Sequence, residues 1–320
     1  MNARRSRFLT RSKEAGSVMD NKDKNIRKAT IAAFLSNFIF GLSFMASRIG
    51  LEHTTSAMLL VLRFGLSVII MLLLSAAGIV KLDLKGKNLK GLFMLGLFHP
   101  IIYFIGETNG IRLTNSSFAG IMISLIPVVT AIGSGIFLHE RPPKSAYAWI
   151  LCSVAGVAVI SLSQAGLGAI QPAGILFLMI SIVAGSGFYL YSRKISDEFS
   201  PFERTFVSMV MGFIFYTGMA LVQEGSGFFP LLCSSAADRY VILPVIYLSV
   251  ISSVFAFVLQ NYSVTYLDAS KVTVFSNIVP VVSLIAGVLV LGEPFSAVYL
   301  IGIVLILLGV YKVNTATNKE

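Results

Sequence analysis

Glu107–Val159 reads ETNGIRLTNSSFAGIMISLIPVVTAIGSGIFLHERPPKSAYAWILCSVAGVAV, and the chain writes this pattern twice. Moved forward by 153 positions, it falls without a gap on Gln260–Lys312. Pro127-Val128-Val129 meets Pro280-Val281-Val282, Leu138 meets Leu291, Glu140 meets Glu293, and Gly156 meets Gly309. Six of the fourteen positions from Pro127 to Glu140 are identical, and Thr130/Ser283, Gly133/Ala286 and Ile136/Leu289 are close substitutions. Gly41 and Phe44 match Gly185 and Phe188 at an offset of 144, which carries the repeat back toward the N-terminus. Self-similarity over so long a period is the mark of a two-half membrane architecture.

The composition agrees. Of 320 residues, 56% are hydrophobic and 12% charged, against about 25% charged in soluble domains, and the mean hydropathy is +0.83. Apolar runs approach the ~20 residues a helix needs to cross a bilayer. No alternating strand pattern competes, so helices must satisfy the backbone in lipid. Ten apolar segments are expected, at about 30–50, 56–79, 89–110, 115–138, 145–163, 172–193, 203–222, 240–264, 270–291 and 296–313. Only 223–239 reads as a loop of any length. The expected fold class is an all-α membrane protein of ten transmembrane helices. It divides into a basic tail at 1–29, five-helix halves at 30–163 and 172–313, and a short tail at 314–320.

The net charge of +10 is topology information, not a nucleic-acid footprint. Nine of the 25 Lys and Arg precede residue 29, and the rest sit mostly in short loops. With the N-terminus inside, the cytoplasmic segments hold 21 of them and the outer segments only Arg112 and Arg239. Both termini are therefore expected inside the cell membrane. The Arg-rich opening resembles a transit peptide, but an irregular cytoplasmic tail is the simpler account. Met19 is an alternative natural start. Because five is odd, the second half enters the membrane inverted relative to the first, and inverted repeats are the geometry of alternating access.

Thr114-Asn-Ser-Ser, Ile126-Pro-Val, Leu138-His-Glu-Arg and Ala155-Gly-Val, with the copies Leu267-Asp-Ala-Ser, Val279-Pro-Val, Leu291-Gly-Glu-Pro and Leu308-Gly-Val, carry a resemblance. The chain resembles a bacterial EamA-type member of the drug/metabolite transporter superfamily over about residues 30–313. That resemblance implies two inverted five-helix repeats around a central cavity, and export of amino acids, other metabolites or drugs. One departure is visible: a glycine usual in the fifth and tenth helices is kept at Gly302 and replaced by Trp149.

Ionisable groups within apolar segments default to function because hydrocarbon penalises charge by a few kcal/mol or more. Arg63 and Glu107 lie at similar depth, about 10 Å below the outer ends of the second and third helices. They are open to two readings, an ion pair or joint recognition of a zwitterionic substrate. His99 suits proton exchange, with a hydrogen-bonded neutral imidazole as the alternative. Asn37, Gln260 and Asn277 offer neutral hydrogen bonds, and Tyr103 and Tyr189 suit an amphipathic cavity, although such residues also join helices. Pro127 and Pro280 read as mid-helix kinks facing the cavity or as packing kinks. Arg48 and Glu52 read as interfacial. Glu140 and Glu293 read as structural acids at helix N-termini.

Cys152 and Cys233 make neither a metal site nor a disulfide framework, and no metal or cofactor is expected. No catalytic signature is present, so an enzyme is not expected. The reading is a secondary transporter of small metabolites, working in the lipid bilayer with protons as an optional coupling ion. An exchanger of phosphorylated or nucleotide sugars, a non-transport membrane protein and a homodimer stay open.

Overall fold

The structure, a computed structural model, describes residues 2–137, 148–149, 151–152, 154–156, 159, 170–267, 269–293 and 295–317. Every regular element among them is a helix: α1 (Asn2–Leu51), α2 (Ser56–Ala76), α3 (Lys90–Leu113), α4 (Ser116–Ile123), α5 (Ile126–Phe137), α6 (Pro172–Lys194), α7 (Pro201–Glu224), α8 (Phe228–Ala237), α9 (Arg239–Tyr266), α10 (Ala269–Val274), α11 (Ile278–Leu291) and α12 (Ala297–Thr317). Among the described residues seven stretches are long and apolar enough to cross a membrane, and Phe275–Leu291 and Ala297–Gly309 are shorter apolar helices. Most of the fifth expected segment, 145–163, lies outside the described residues, as does Glu140.

Local chemistry sets the helix starts. Thr55 and Asn115 cap α2 and α4 by accepting from the backbone N–H of Met58 and Phe118. Ser200 and Glu203 form a reciprocal capping box on α7, with Pro201 in the first turn, where its missing N–H costs nothing. Gly292 ends α11 in the left-handed region, at φ 64°. The 223–239 loop expected from sequence is instead mostly α8. Phe228 and Ser235 are buried, and Thr54 and Ser235 share a hydrogen bond at 2.8 Å, so the segment folds back on the α1–α2 turn. The basic opening, expected to be irregular, continues α1 toward the N-terminus.

The long apolar segments are not straight. In α3 the backbone widens to π-type at Leu97–Ile102, and His99 leaves the helical region at φ −147°, ψ 112°. The Tyr216 hydroxyl of α7 donates to the Pro100 and Ile101 carbonyls at 3.2 and 2.7 Å, satisfying groups that lipid would leave unpaired. In α9 the same widening runs over Tyr247–Ala256, which covers the copy of 97–102 shifted by 153. The expected segment 115–138 breaks at Ser124–Leu125 into α4 and α5, and its copy breaks at Phe275–Asn277 into α10 and α11. Pro127 and Pro280 therefore stand in the first turn of α5 and α11, rather than in a helix middle.

The halves interlock. Helix α1 packs on α9 and α11, while α6 packs on α3 and α5, so the first helix of each half lies against the other half. A Cβ at Gly41 of α1 would stand 2.6 Å from Val282 Cβ of α11, and one at Gly185 of α6 would stand 2.8 Å from Ile126 Cδ1 of α5. These matched glycines permit the two close crossings. Arg48 donates to the Ile111 and Arg112 carbonyls at the end of α3, and Arg193 to the Val264 and Thr265 carbonyls at the end of α9. Adding 153 to the first pair of acceptors gives the second pair, and in both cases a cation covers the negative end of a helix.

Candidate functional site

Where α1, α2, α3, α6 and α9 converge, beside the breaks before α5 and α11, a cleft opens with about 560 Å³ of empty space, its mouth included. Its wall comes largely in repeat-equivalent pairs. Phe104 and Phe257, Ile123 and Ser276, and Ile126 and Val279 line it at the 153-residue offset, and Phe44 and Phe188 at the 144-residue offset. Two further pairs set a titratable group of the first half against a neutral polar one of the second: His99 against Ser252, and Glu107 against Gln260.

The structure places Asn37, Arg63, His99, Tyr103, Glu107, Tyr189 and Gln260 in this wall, all buried. It does not bring Asn277, Pro127 or Pro280 to it. Their neighbours Ser276, Ile126 and Val279 line the cleft instead, because each helix break turns these backbones so that the adjacent positions face inward. Of the other asparagines in these helices, Asn109 donates to Ile105 in its own helix, and Asn261 ties α9 to Ser192 and Thr205.

Arg63 is fixed by α9. Its Nε donates to Ser253 Oγ at 2.8 Å and its Nη2 to Ser252 Oγ at 3.1 Å, and its guanidinium lies 4.4 Å from the Phe104 ring centroid. Ser67 and Ser249 both donate to the Arg63 carbonyl, fastening α2 to α9 at this level. Glu107 is not its ion-pair partner. The Tyr103 hydroxyl donates to Glu107 Oε1 at 3.3 Å, and Oε2 has no partner among the described residues. Gln260 Oε1 accepts from Ser36 at 2.6 Å and from Asn37 at 3.4 Å, and its side chain also meets the Tyr189 hydroxyl. The His99 ring is enclosed by Tyr103, Phe104, Phe188 and Phe257 at centroid distances of 4.4–5.0 Å, and its Nδ1 has no partner among the described residues.

The wall thus sets one cation, one carboxyl, two amides and a belt of rings around a narrow space. Unpaired buried polar atoms are costly, and His99 Nδ1 and Glu107 Oε2 lie here without a partner among the described residues. A ligand with polar groups and an apolar body is the chemistry that relieves them. Among the described residues no cluster of His, Cys, Asp and Glu is placed to hold a metal ion.

Two polar assemblies away from the cleft escaped the sequence reading. Arg204, at the start of the expected segment 203–222, is fully buried and bridges α6 to α9. Glu203 beside it pairs with Lys87 at 2.9 Å and accepts from the Asp83 backbone, fastening the loop before α3. Glu293 is a structural acid as expected, but it serves a different helix. Its carboxylate accepts from the backbone N–H and hydroxyl of both Ser116 and Ser117, so it caps α4 rather than the α12 that follows it.

The profile of the EamA-like transporter family matches residues 27–162 and again 172–315. The uncharacterized transporter YcxC of Bacillus subtilis is 29% identical over 299 residues, covering 91% of this chain and 94% of that protein. An uncharacterized transporter of Archaeoglobus fulgidus is 29% identical over 289 residues, covering 89% and 98%. YetK, an uncharacterized transporter of Bacillus subtilis, is 28% identical over 315 residues, covering 95% and 91%. A solved crystal structure at 19% identity superimposes with a TM-score of 0.63 over 91% of this chain and 98% of its own, a likeness of fold. With its helical membrane fold and two family matches that together span almost its entire length, the chain belongs to the EamA-like transporter family.

Proposed function

We propose that this transporter carries small amphipathic zwitterions, amino acids and related metabolites, through the central cleft by alternating access. Net movement is outward, with both termini cytoplasmic. The observation that supports this most is the cleft wall, built from equivalent positions of both halves, so that rocking one half against the other exposes the same residues to either side. Arg63 receives the carboxylate, Glu107 the ammonium, and the rings of Phe104, Phe188, Phe257 and Tyr103 the apolar body. Organophosphates fit less well, since Arg63 is the one Lys or Arg in the wall among the described residues.

The test is a thermal-shift panel of amino acids, nucleosides, sugar phosphates and lipophilic cations, followed by counterflow of each hit in proteoliposomes. At ten times its Kd a ligand of the native state adds about 1.4 kcal/mol of stability. Hits among apolar amino acids that also exchange across the vesicle wall are expected. Exchange confined to sugar phosphates overturns the zwitterion reading, and a protein that moves no solute of the panel overturns the transport reading for these classes.

A further inference from the structure

We propose that His53 and Asp238 form a proton-sensitive latch between the two halves, fastened while the imidazole is protonated and loosened as pH rises. The α1–α2 turn belongs to the first half and α8 to the second. In the proposed orientation both lie outside, so the pH of the outer medium sets how firmly the halves are joined at this end. The latch stands on contacts between the halves and asks nothing of the cargo.

Two contacts join the α1–α2 turn to the α8–α9 junction. His53 Nδ1 lies 3.1 Å from Asp238 Oδ2, and Thr54 and Ser235 share their hydrogen bond at 2.8 Å. The imidazole also stacks on the Tyr240 ring, with centroids 4.8 Å apart and 17° between the planes. The other charged groups of this end are engaged elsewhere. Glu52 pairs with Arg48 at 3.3 Å, and Arg112 of α3 donates to the Thr54 carbonyl and the Ser56 hydroxyl. Arg239 of α9 lies 4.7 Å from the Tyr240 ring centroid and donates to the Tyr240 hydroxyl. Among the described residues the acid paired with the imidazole is therefore Asp238, which also caps α9 by accepting from the Tyr240 N–H.

The opposite end of the molecule supplies the comparison. There the loop before α3, in the first half, docks on the start of α7, in the second. Lys87 Nζ pairs with Glu203 at 2.9 Å, and the Asp83 N–H donates to the same carboxylate at 3.0 Å. Each end thus carries an ion pair between the halves, backed by a second hydrogen bond. The cation differs. Lysine and glutamate keep their charges between about pH 5 and 8, whereas histidine changes its charge within that range. The attraction to Asp238 is present while the imidazole carries its proton and is lost as pH rises. The neutral ring keeps a weaker bond, since an Nδ1–H can still donate. With side chains 37% and 33% exposed, the pair has the modest strength of a surface ion pair. That corresponds to about a two- to fivefold change in the ratio of fastened to loosened contact.

Hydrogen–deuterium exchange of the purified full-length protein, compared at about pH 5.5 and 8 after correction for intrinsic rates, tests the latch. The α8 amides are expected to lose protection about two- to fivefold at the higher pH, while the peptide that contains Asp83 holds its own. His53→Gln is expected to show the alkaline level at both pH values. Asp238→Asn, which keeps the α9 cap, is expected to lose the pH response as well. His53→Lys, with a fixed charge, is expected to stay protected at both. Equal protection of wild-type α8 at the two pH values overturns the proposal. So does a pH response that survives in His53→Gln, or one that the Asp83 peptide shares. None of these readouts involves solute movement, so a protein that fails in counterflow sinks the transport reading and leaves the latch standing.

Discussion

Arg63 and Arg204 are both buried guanidiniums held by hydroxyl and carbonyl oxygens rather than by carboxylates. Arg204 donates from Nη1 to the Ser192 carbonyl and hydroxyl, and from Nη2 to the Asn261 carbonyl and Thr265 Oγ1. A planar fork can serve two helices at once, which a lysine ammonium cannot. Arg204→Met is expected to lower stability by about 2–4 kcal/mol, because it leaves buried acceptors unpaired, and Arg204→Lys to recover only part of that. Thermal unfolding in detergent measures both. Arg63→Lys breaks a smaller fork and a ring contact. Its stability cost is expected to be about 1 kcal/mol, while the ligand-induced thermal shift found in the panel is lost. A variant that keeps the full shift contradicts Arg63 as the carboxylate anchor.

Helix ends show why spacing alone assigned Glu293 to the wrong partner. From sequence, Glu293 precedes Pro294 and the following helix, and spacing alone points to a cap on that helix. In three dimensions α11 lies along α4, and the Gly292 turn delivers the carboxylate to Ser116 and Ser117 of the opposite half. Glu293→Gln replaces one acceptor oxygen by an amide that faces donors. A loss of about 1–3 kcal/mol is expected in thermal unfolding, with Glu293→Asp intermediate. An unchanged melting temperature for Glu293→Gln would show that the clasp contributes nothing to stability.

Across the whole molecule, the proposed orientation puts the α8 segment outside, and Cys233 in it is exposed. A membrane-impermeant maleimide is expected to label intact cells at this residue, with the label lost in Cys233→Ser. Labelling that appears only after the cells are opened would place α8 inside and reverse the topology. The close crossing at Gly41 gives a second whole-molecule test. Gly41→Leu must push α1 from α11, since even a Cβ stands 2.6 Å from Val282. Counterflow is expected to fall at least tenfold, which corresponds to about 1.4 kcal/mol in the barrier.

The sequence by itself determined the membrane class, the helical fold and the repeat, because lipid forbids unpaired backbone and two copies of one pattern need no structure to be seen. It also singled out most of the polar cleft wall. Arg63, His99, Glu107 and Gln260 were legible because polar side chains in apolar helices are costly enough to need a reason. The tertiary structure alone decided where the helices break, so that Ser276, Ile126 and Val279 face inward while Asn277, Pro127 and Pro280 do not. It also decided partners. Arg63 chose Ser252 and Ser253 over Glu107, and Arg204 reaches from the start of α7 into the space between α6 and α9. For Arg63 the reason is the interlocking of the halves, since partners 189 and 190 positions away supply its hydrogen bonds, and for Arg204 it is the packing of three helices of one half; in neither case does a local pattern encode which of several suitable groups will be nearest.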